Sequence, residues 1–486
     1  MTTPTTPTQT FIEQHARWTP EQHAAAAGLP ARIAELGLKQ IRIGWGDQHG
    51  IVRGKTLTPR EFERALSAGK DFQTATLIFD TTNNPAVPPF GRSGFGVDEM
   101  TGLPDGVLIP DPSTFKVLPW AADTGWILCD LHFQSGTPVP FCSRGILRSQ
   151  LEMLAERGYA MKAGLEIEFY VTKMVDPKLA PAECAYPPDP PEVTAISHGF
   201  QYLTDNHADE IDGIMSILRD HTEALGLPLT TIEDEWGPGQ CEFTFDVMDG
   251  LEAADAVLLF RSMVKQVCRR HGYHATFMSR PGLPNFFASG WHLHQSLADL
   301  ETGENAFADP SGAGVLSPLA EAFVAGVLEH AAGASVFTTP TINGYKRFRP
   351  DSFAPHKIGW AYENRGAMLR VIGNPGDPGA HVENRVGEPT ANPYLFLASQ
   401  LVSGLDGVDR GLTPPPPSDE AYLDETRPTL PASLMDAMTE LRADPLFAEA
   451  FGAPFVDYLL TVKGSEVSRF LSTVTDWEHR EYFDVY

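Results

Sequence analysis

The segment GLEIEFYV (164–171) sets Glu166 and Glu168 two residues apart, interleaved with Leu165, Ile167 and Phe169. That alternation has the period of a β-strand, so both carboxylates point to one face and the apolar side chains to the other. A chain built this way must fold a sheet with one face buried and acids on the opposite face. Taken alone, a Glu-x-Glu pair is also what a solvated strand carries. With an apolar opposite face it becomes an acidic patch on a committed sheet, and its role stays open.

Three further segments carry acids or histidines at related spacing. In EWGPGQCEF (235–243), Glu235 and Glu242 bracket a Gly-Pro-Gly turn that either folds both acids towards a common point or leaves them exposed on a hairpin loop. In SGWHLHQSL (289–297), His292, His294 and Ser296 share a strand face, a pattern that leans towards metal or phosphate without settling it. In AHVENRV (380–386), His381, Glu383 and Arg385 do the same. Together these supply Glu166, Glu168, Glu235, Glu242, Glu383 and His292: five carboxylates, one imidazole and no thiolate. Hard oxygen donors with a single nitrogen suit Mg²⁺ or Mn²⁺ and disfavour zinc. So many converging carboxylates repel one another unless dications compensate them.

The net charge of −27 disfavours nucleic acid and anionic membranes as partners, so an anionic substrate needs a local group of arginines. NGYKRFRP supplies Arg347, NRGAMLR supplies Arg365 and Arg370, and ENR supplies Arg385. Any one of them fits a solvated surface. Four near acidic strands point to a site for phosphates and a carboxylate, the equipment of phosphoryl transfer. Neither a Walker A sequence nor a GxGxxG is present, so the site is not a P-loop or a Rossmann crevice.

A length of 486 residues predicts two or more domains of an α+β protein. Residues 1–30 read as a helical lead-in, and 31–138 as a small β-rich domain of short apolar segments broken by Gly, Pro and Asn. The catalytic domain spans 139–486. Helical spacing predicts helices over 144–157, 209–225 and 251–271. Proline makes AECAYPPDPPEV (182–193) a surface loop, and PPPP (414–417) introduces a mainly helical tail. Five scattered cysteines without a CxxC pair, no basic-then-apolar leader and no apolar run long enough for a bilayer predict a cytoplasmic protein without disulfides.

Over nearly the whole chain, WGDQHG, IPDPSTFKVLPW, GLEIEFY, EWGPGQCEF, HATFMSRP, SGWHLHQSL, NGYKRFRP, NRGAMLRV, ENRVGEPTANPYL and WEHREYF resemble glutamine synthetases in order and spacing. The resemblance implies an N-terminal β-grasp domain and a catalytic domain with a curved antiparallel sheet. It implies that Glu168, Glu235 and Glu242 hold one metal, and Glu166, His292 and Glu383 another. Arg347 and Arg385 are then glutamate-binding, while His294, Ser296 and Arg370 are ATP-binding. Arg365 neutralises the transferred phosphoryl group, and Asp47 enters a neighbouring subunit's site near the incoming nitrogen. The expected partners are glutamate, ATP, an amine and further copies of the chain, in a dodecamer of two hexameric rings.

One departure bears on the substrate. Glutamine synthetases carry a glutamate just before the Ala-Pro pair that follows the YKR motif, and it helps deprotonate ammonium. This chain reads RPDSFAP, with Phe353 at that position. Phenylalanine takes no proton but offers apolar surface. Phe286 and Phe287, before the histidine strand, point the same way. The expected enzyme is therefore a γ-glutamylamide synthetase for an organic amine, of the γ-glutamylanilide type or for a small alkylamine, with Phe353 and Asp47 lining the amine pocket. True glutamine synthetase is the alternative, and a catalytically silent structural or sensor relative is the non-enzymatic one. A second departure is His381, which stands where the family usually has an arginine near the nucleotide phosphates.

Overall fold

The structure, a computed structural model, describes residues 9–16, 18–91, 95–200, 202–349 and 352–486. The chain enters through α1 (Phe11–His15) and α2 (Pro20–Glu35), whose N-termini are closed by capping boxes from Thr10 and Thr19. The expected helical lead-in is present from residue 11 and runs on to Glu35, while residues 1–8 lie outside the described part.

Six strands follow: β1 (Gln40–Gly46), β2 (Val52–Leu57), β3 (Lys70–Gln73), β4 (Asp105–Pro110), β5 (Lys116–Val117) and β6 (Thr124–His132). They form one sheet in the order β2-β1-β6-β4-β3, with β5 on β6. β1 and β6 run parallel, and α3 (Pro59–Ala68) packs on the sheet through Phe62 and Ala65.

The second sheet is built around β7 (Tyr159–Asp176). It also contains β8 (Glu192–Thr194), β9 (Leu229–Asp234), β10 (Gln240–Asp249), β11 (Tyr273–Thr276), β12 (Trp291–Asp299), β13 (Trp360–Tyr362), β14 (Leu369–Ile372) and β15 (His381–Gly387). The order is β13-β14-β15-β12-β7-β10-β9, with β8 and β11 pairing with the far end of β7. All neighbours are antiparallel except β13 and β14, which run parallel at one edge. β8 corrects one expectation: the last residues of AECAYPPDPPEV add a short strand to β7 instead of staying in a loop, because only the prolines before Glu192 lack the N–H that a ladder needs.

Burial along β7 alternates as its sequence does. Met161, Ala163, Leu165, Ile167 and Phe169 are buried on one face, under α4 (Ser143–Glu156) and α6 (Gly250–Arg270). Phe169, Phe243, Phe260 and Phe277 pack there with ring centroids as close as 4.9 Å. Burying each ring contributes roughly 2–3 kcal/mol. α5 spans Asp205–Ala224, beginning earlier than the expected 209. The helices α7 (Pro318–Glu329), α8 (Ala331–Thr338) and α9 (Pro393–Arg410) cover the rest of the core, followed by the helical tail α10 (Leu434–Ala443), α11 (Pro445–Phe451), α12 (Ala453–Leu471) and α13 (Asp476–Tyr482).

One continuous apolar core joins both sheets. A buried ion cluster fastens them as well. The Arg144 guanidinium on α4 donates to Asp111 (2.8 Å) and Asp130 (2.9 Å) from the first sheet and to Asp255 (2.9 and 2.8 Å) on α6. The five cysteines are free, four of them buried. Among the described residues no single helix is long and apolar enough to cross a membrane.

Candidate active site

Strand register assembles the site. Glu233 on β9 faces Glu242 on β10, which faces Glu168 on β7. One step along, Glu166 on β7 faces His292 on β12, and His294 on β12 faces Glu383 on β15, which faces Arg370 on β14. A row of cross-strand pairs thus carries carboxylates, imidazoles and a guanidinium across one face of the sheet.

The distances show how tightly the row is drawn. Glu166 Oε2 lies 2.9 Å from His292 Nδ1, and its Oε1 lies 3.0 Å from His294 Nε2. His292 also reaches Glu383 (3.5 Å) and Glu168 (3.8 Å). Burial opposes ionisation of Glu166, but the hydrogen bonds from both histidines outweigh it and hold its carboxyl well below the usual range. The other end of the row behaves oppositely. Burial first, then the charge of Glu168, pushes Glu235 up to about 8 and Glu242 up to about 10.

Those two acids lack positive charge, which dications would supply. Ligand atoms of Glu166, His292 and Glu383 lie within 4.8 Å of one another, and the same holds for Glu168, Glu242 and His292, and for Glu233, Glu235 and Glu242. The donor set is oxygen with one imidazole, which fits Mg²⁺ or Mn²⁺. The first group is the predicted one. The predicted trio of Glu168, Glu235 and Glu242 is divided between the other two groups, which share Glu242, and Glu233 joins them. Sequence reasoning missed Glu233, although it alternates with Glu235 as Glu166 does with Glu168.

The second layer fixes these ligands. Gln240 donates to Glu168 Oε2 (3.2 Å), as does the Gly290 amide (3.0 Å). The Tyr170 hydroxyl donates to Gln240 Oε1 (3.1 Å). Gly237, in the turn between β9 and β10, lies so close that a Cβ there would overlap the Tyr170 hydroxyl.

Of the predicted arginines, Arg370 donates to Glu363 (2.6 Å) and Glu383 (3.3 Å), and Arg385 donates to Glu383. Arg347 is buried and donates to the carbonyls of Val386 (2.9 Å) and Arg385 (2.8 Å). Burial lowers its guanidinium to about 10. It passes beside Gly290, where a Cβ would stand 2.8 Å from its Nη2. Both Arg347 and Arg385 therefore lie on the site floor with part of their donors already engaged. Arg365 is exposed, and its carbonyl accepts from Arg385 Nε at 3.0 Å. Ser296 lies half-buried beyond His294 on the same strand face. His381 Nε2 lies 2.9 Å from His294 Nδ1, extending the histidine row towards β15.

Two expectations meet a different geometry in the single chain. Asp47 does not point outward. It is buried, and its carboxylate accepts from the amides of His49 (2.9 Å) and Ile51 (3.0 Å) and from Arg53 Nε (2.8 Å), because its own turn supplies the two amides and β2 the guanidinium. Phe353 is not packed. It is 62% exposed, on a loop with φ +58°, a conformation costly for a bulky side chain. Phe286 stacks on Tyr170 (4.4 Å), and Phe287 is half-exposed beside it.

Comparison with known proteins agrees with this geometry. Residues 140–482 match the family described as glutamine synthetase, catalytic domain. The chain is 46% identical to a γ-glutamylanilide synthase of Acinetobacter over 98% of this chain and 99% of that one. It is 32% identical to a glutamine synthetase of Thermus thermophilus over 92% and 96% of the two chains. A solved structure described as a GmaS/ADP complex superposes with a TM-score of 0.79 at 28% identity, covering 94% of this chain and 99% of that one.

Proposed function

The chain belongs to the glutamine synthetase family, and within it we propose an ATP-dependent ligase that joins the γ-carboxyl of glutamate to an apolar amine of the aniline type. The carrying observation is the row of cross-strand pairs from Glu233 to Arg370, which sets metal-type acids and a phosphate-type guanidinium on one sheet face. A carboxylate is a poor acyl donor because its oxygen leaves badly. ATP phosphorylates the γ-carboxylate and ADP leaves; the amine nitrogen then attacks the acyl phosphate, inorganic phosphate departs with the C–O electrons, and the nitrogen releases one proton to give the neutral amide. The relative solved as an ADP complex supports a nucleotide co-substrate.

Divalent metal held by Glu166, Glu168, Glu235, Glu242, His292 and Glu383, joined by Glu233, supplies charge neutralisation when bound. Arg365 and Arg370 offset the remaining phosphate charge, with His294 and Ser296 as further phosphate contacts. Arg347 and Arg385 hold the substrate α-carboxylate with the donors that the backbone leaves free. Phe353, on the loop after the YKR motif, selects the amine, and its exposure leaves it available to close over one. Asp47 completes a neighbour's site only if assembly frees it from its own turn. A cytoplasmic dodecamer of two rings, with residues 31–138 as a β-grasp unit, completes the proposal.

The preference for an arylamine rests on Phe353 and on the greater likeness to a γ-glutamylanilide synthase than to a glutamine synthetase. A small alkylamine is second, since Asp47, once freed, serves as a base for a protonated amine. Mass-spectrometric detection of γ-glutamylanilide from glutamate, ATP and aniline tests the proposal, and its absence overturns it.

A further inference from the structure

Beside the acid row lies an aromatic surface that the ligand set leaves unused. Trp236 follows Glu235 in the turn between β9 and β10, and its indole lies on the Tyr202 ring with centroids 5.2 Å apart and planes 2° from parallel. Phe200 meets Phe287 edge-on, at 5.2 Å and 75°. All four rings remain between 43% and 46% exposed, an unusual concentration of bare aromatic surface for one spot.

The surface is tied to the reacting groups by hydrogen bonds. The Phe287 amide donates to the Tyr170 hydroxyl (2.8 Å), Tyr170 donates to Gln240 (3.1 Å), and Gln240 donates to Glu168 (3.2 Å). Trp236 is the direct neighbour of Glu235. The Tyr202 phenol lies within electrostatic reach of Glu233, Glu235 and Glu242, and of the Arg365 guanidinium.

We infer that Phe200, Tyr202, Trp236 and Phe287 form the specificity wall that receives the ring of an arylamine. This deepens the proposed function and rests on it. A flat neutral ring stacks offset on the open faces of Tyr202 and Trp236 and meets the edges of Phe200 and Phe287, the two geometries that aromatic pairs favour. An alkylammonium ion also sits over an indole, and Glu235, Glu233 and Glu242 near the Tyr202 phenol draw it more than Arg365 repels it. The flat ring is favoured by shape, since only an arene makes both the stacked and the edge contact. The arylamine nitrogen then lies towards the acid row, where the acyl phosphate forms.

Trp236→Leu, Tyr202→Leu and Trp236→Phe in the full chain test this with two readouts. The first is the ratio of kcat/KM for aniline to that for isopropylamine, with glutamate, ATP and Mg²⁺ saturating. Each leucine variant is expected to lower the ratio about ten-fold, the scale of a lost apolar contact. Trp236→Phe, which keeps an aromatic face, is expected to recover most of it. The second is saturable quenching of tryptophan emission by aniline in the presence of glutamate and ADP, expected in the parent and lost in Trp236→Leu. An unchanged ratio in both leucine variants overturns the wall while leaving the ligase reading intact. Saturable, Trp236-dependent quenching without any turnover of aniline sinks the ligase reading and leaves the wall. Quenching that is equal in parent and Trp236→Leu overturns the wall whatever the turnover.

Discussion

His292 stands directly across from Glu166 in the strand ladder, and its Nδ1 lies 2.9 Å from Glu166 Oε2. The same imidazole is within 3.5 Å of Glu383 and 3.8 Å of Glu168, so one side chain connects two of the three candidate metal groups. Loss of His292 should therefore weaken both. For His292→Asn we expect dication affinity, read by titration of activity with Mn²⁺, to fall by at least the roughly 10- to 100-fold typical of a lost supporting group. Unaltered Mn²⁺ dependence would remove His292 from the metal site.

Metal and pH should act on the same acids. Glu235 and Glu242 sit at about 8 and about 10, above the ordinary carboxylate value. A raised acid binds its proton more tightly in the folded state, so stability is lost as pH climbs from the unfolded value towards the folded one. Metal binding requires the ionised form and gains affinity over that same interval. The metal-free protein should therefore melt lower at pH 9 than at pH 6, and saturating Mn²⁺ should remove most of that difference. Parallel melting curves with and without Mn²⁺ would count against the acid cluster as the metal site.

Arg144 should be the weak point of the whole chain. Replacing it by Met leaves Asp255 with no guanidinium and Asp111 and Asp130 with Arg148 alone. Breaking a buried pair costs about 3–5 kcal/mol. Chemical denaturation should show a loss of that size for Arg144→Met, and a loss below about 1 kcal/mol, the scale of an exposed pair, would mean the cluster is not a fastening.

Phe353 should decide between nitrogen donors. Phe353→Glu restores a group that takes a proton and attracts ammonium, so ammonia-dependent phosphate release should rise relative to aniline-dependent release. An unchanged ratio would mean that Phe353 has no part in choosing the amine.

Part of the candidate ligand set is legible in the sequence, because period two sets Glu166 beside Glu168, and His292 beside His294, on one face. Glu233 carried the same signal relative to Glu235, but it precedes the turn and LTTIED contains no flanking aromatic to mark it as a strand. Register between strands far apart in the chain was not legible, so the division of the acids into overlapping groups emerges only in the fold. Nor was the inward turn of Asp47, which depends on Arg53 returning from β2. Arg347 reads as a free cation in NGYKRFRP, yet two carbonyls on β15 bury it. The Tyr202–Trp236 stack joins segments that lie on opposite sides of α5 in the chain, and no local pattern announces it.

The most direct measurement is phosphate release from glutamate, ATP and Mg²⁺ in the presence of ammonia, putrescine, ethylamine, isopropylamine or aniline. The highest kcat/KM is expected with aniline and a markedly lower value with ammonia. Highest turnover with ammonia, or phosphate release that no amine stimulates, would contradict the proposed function.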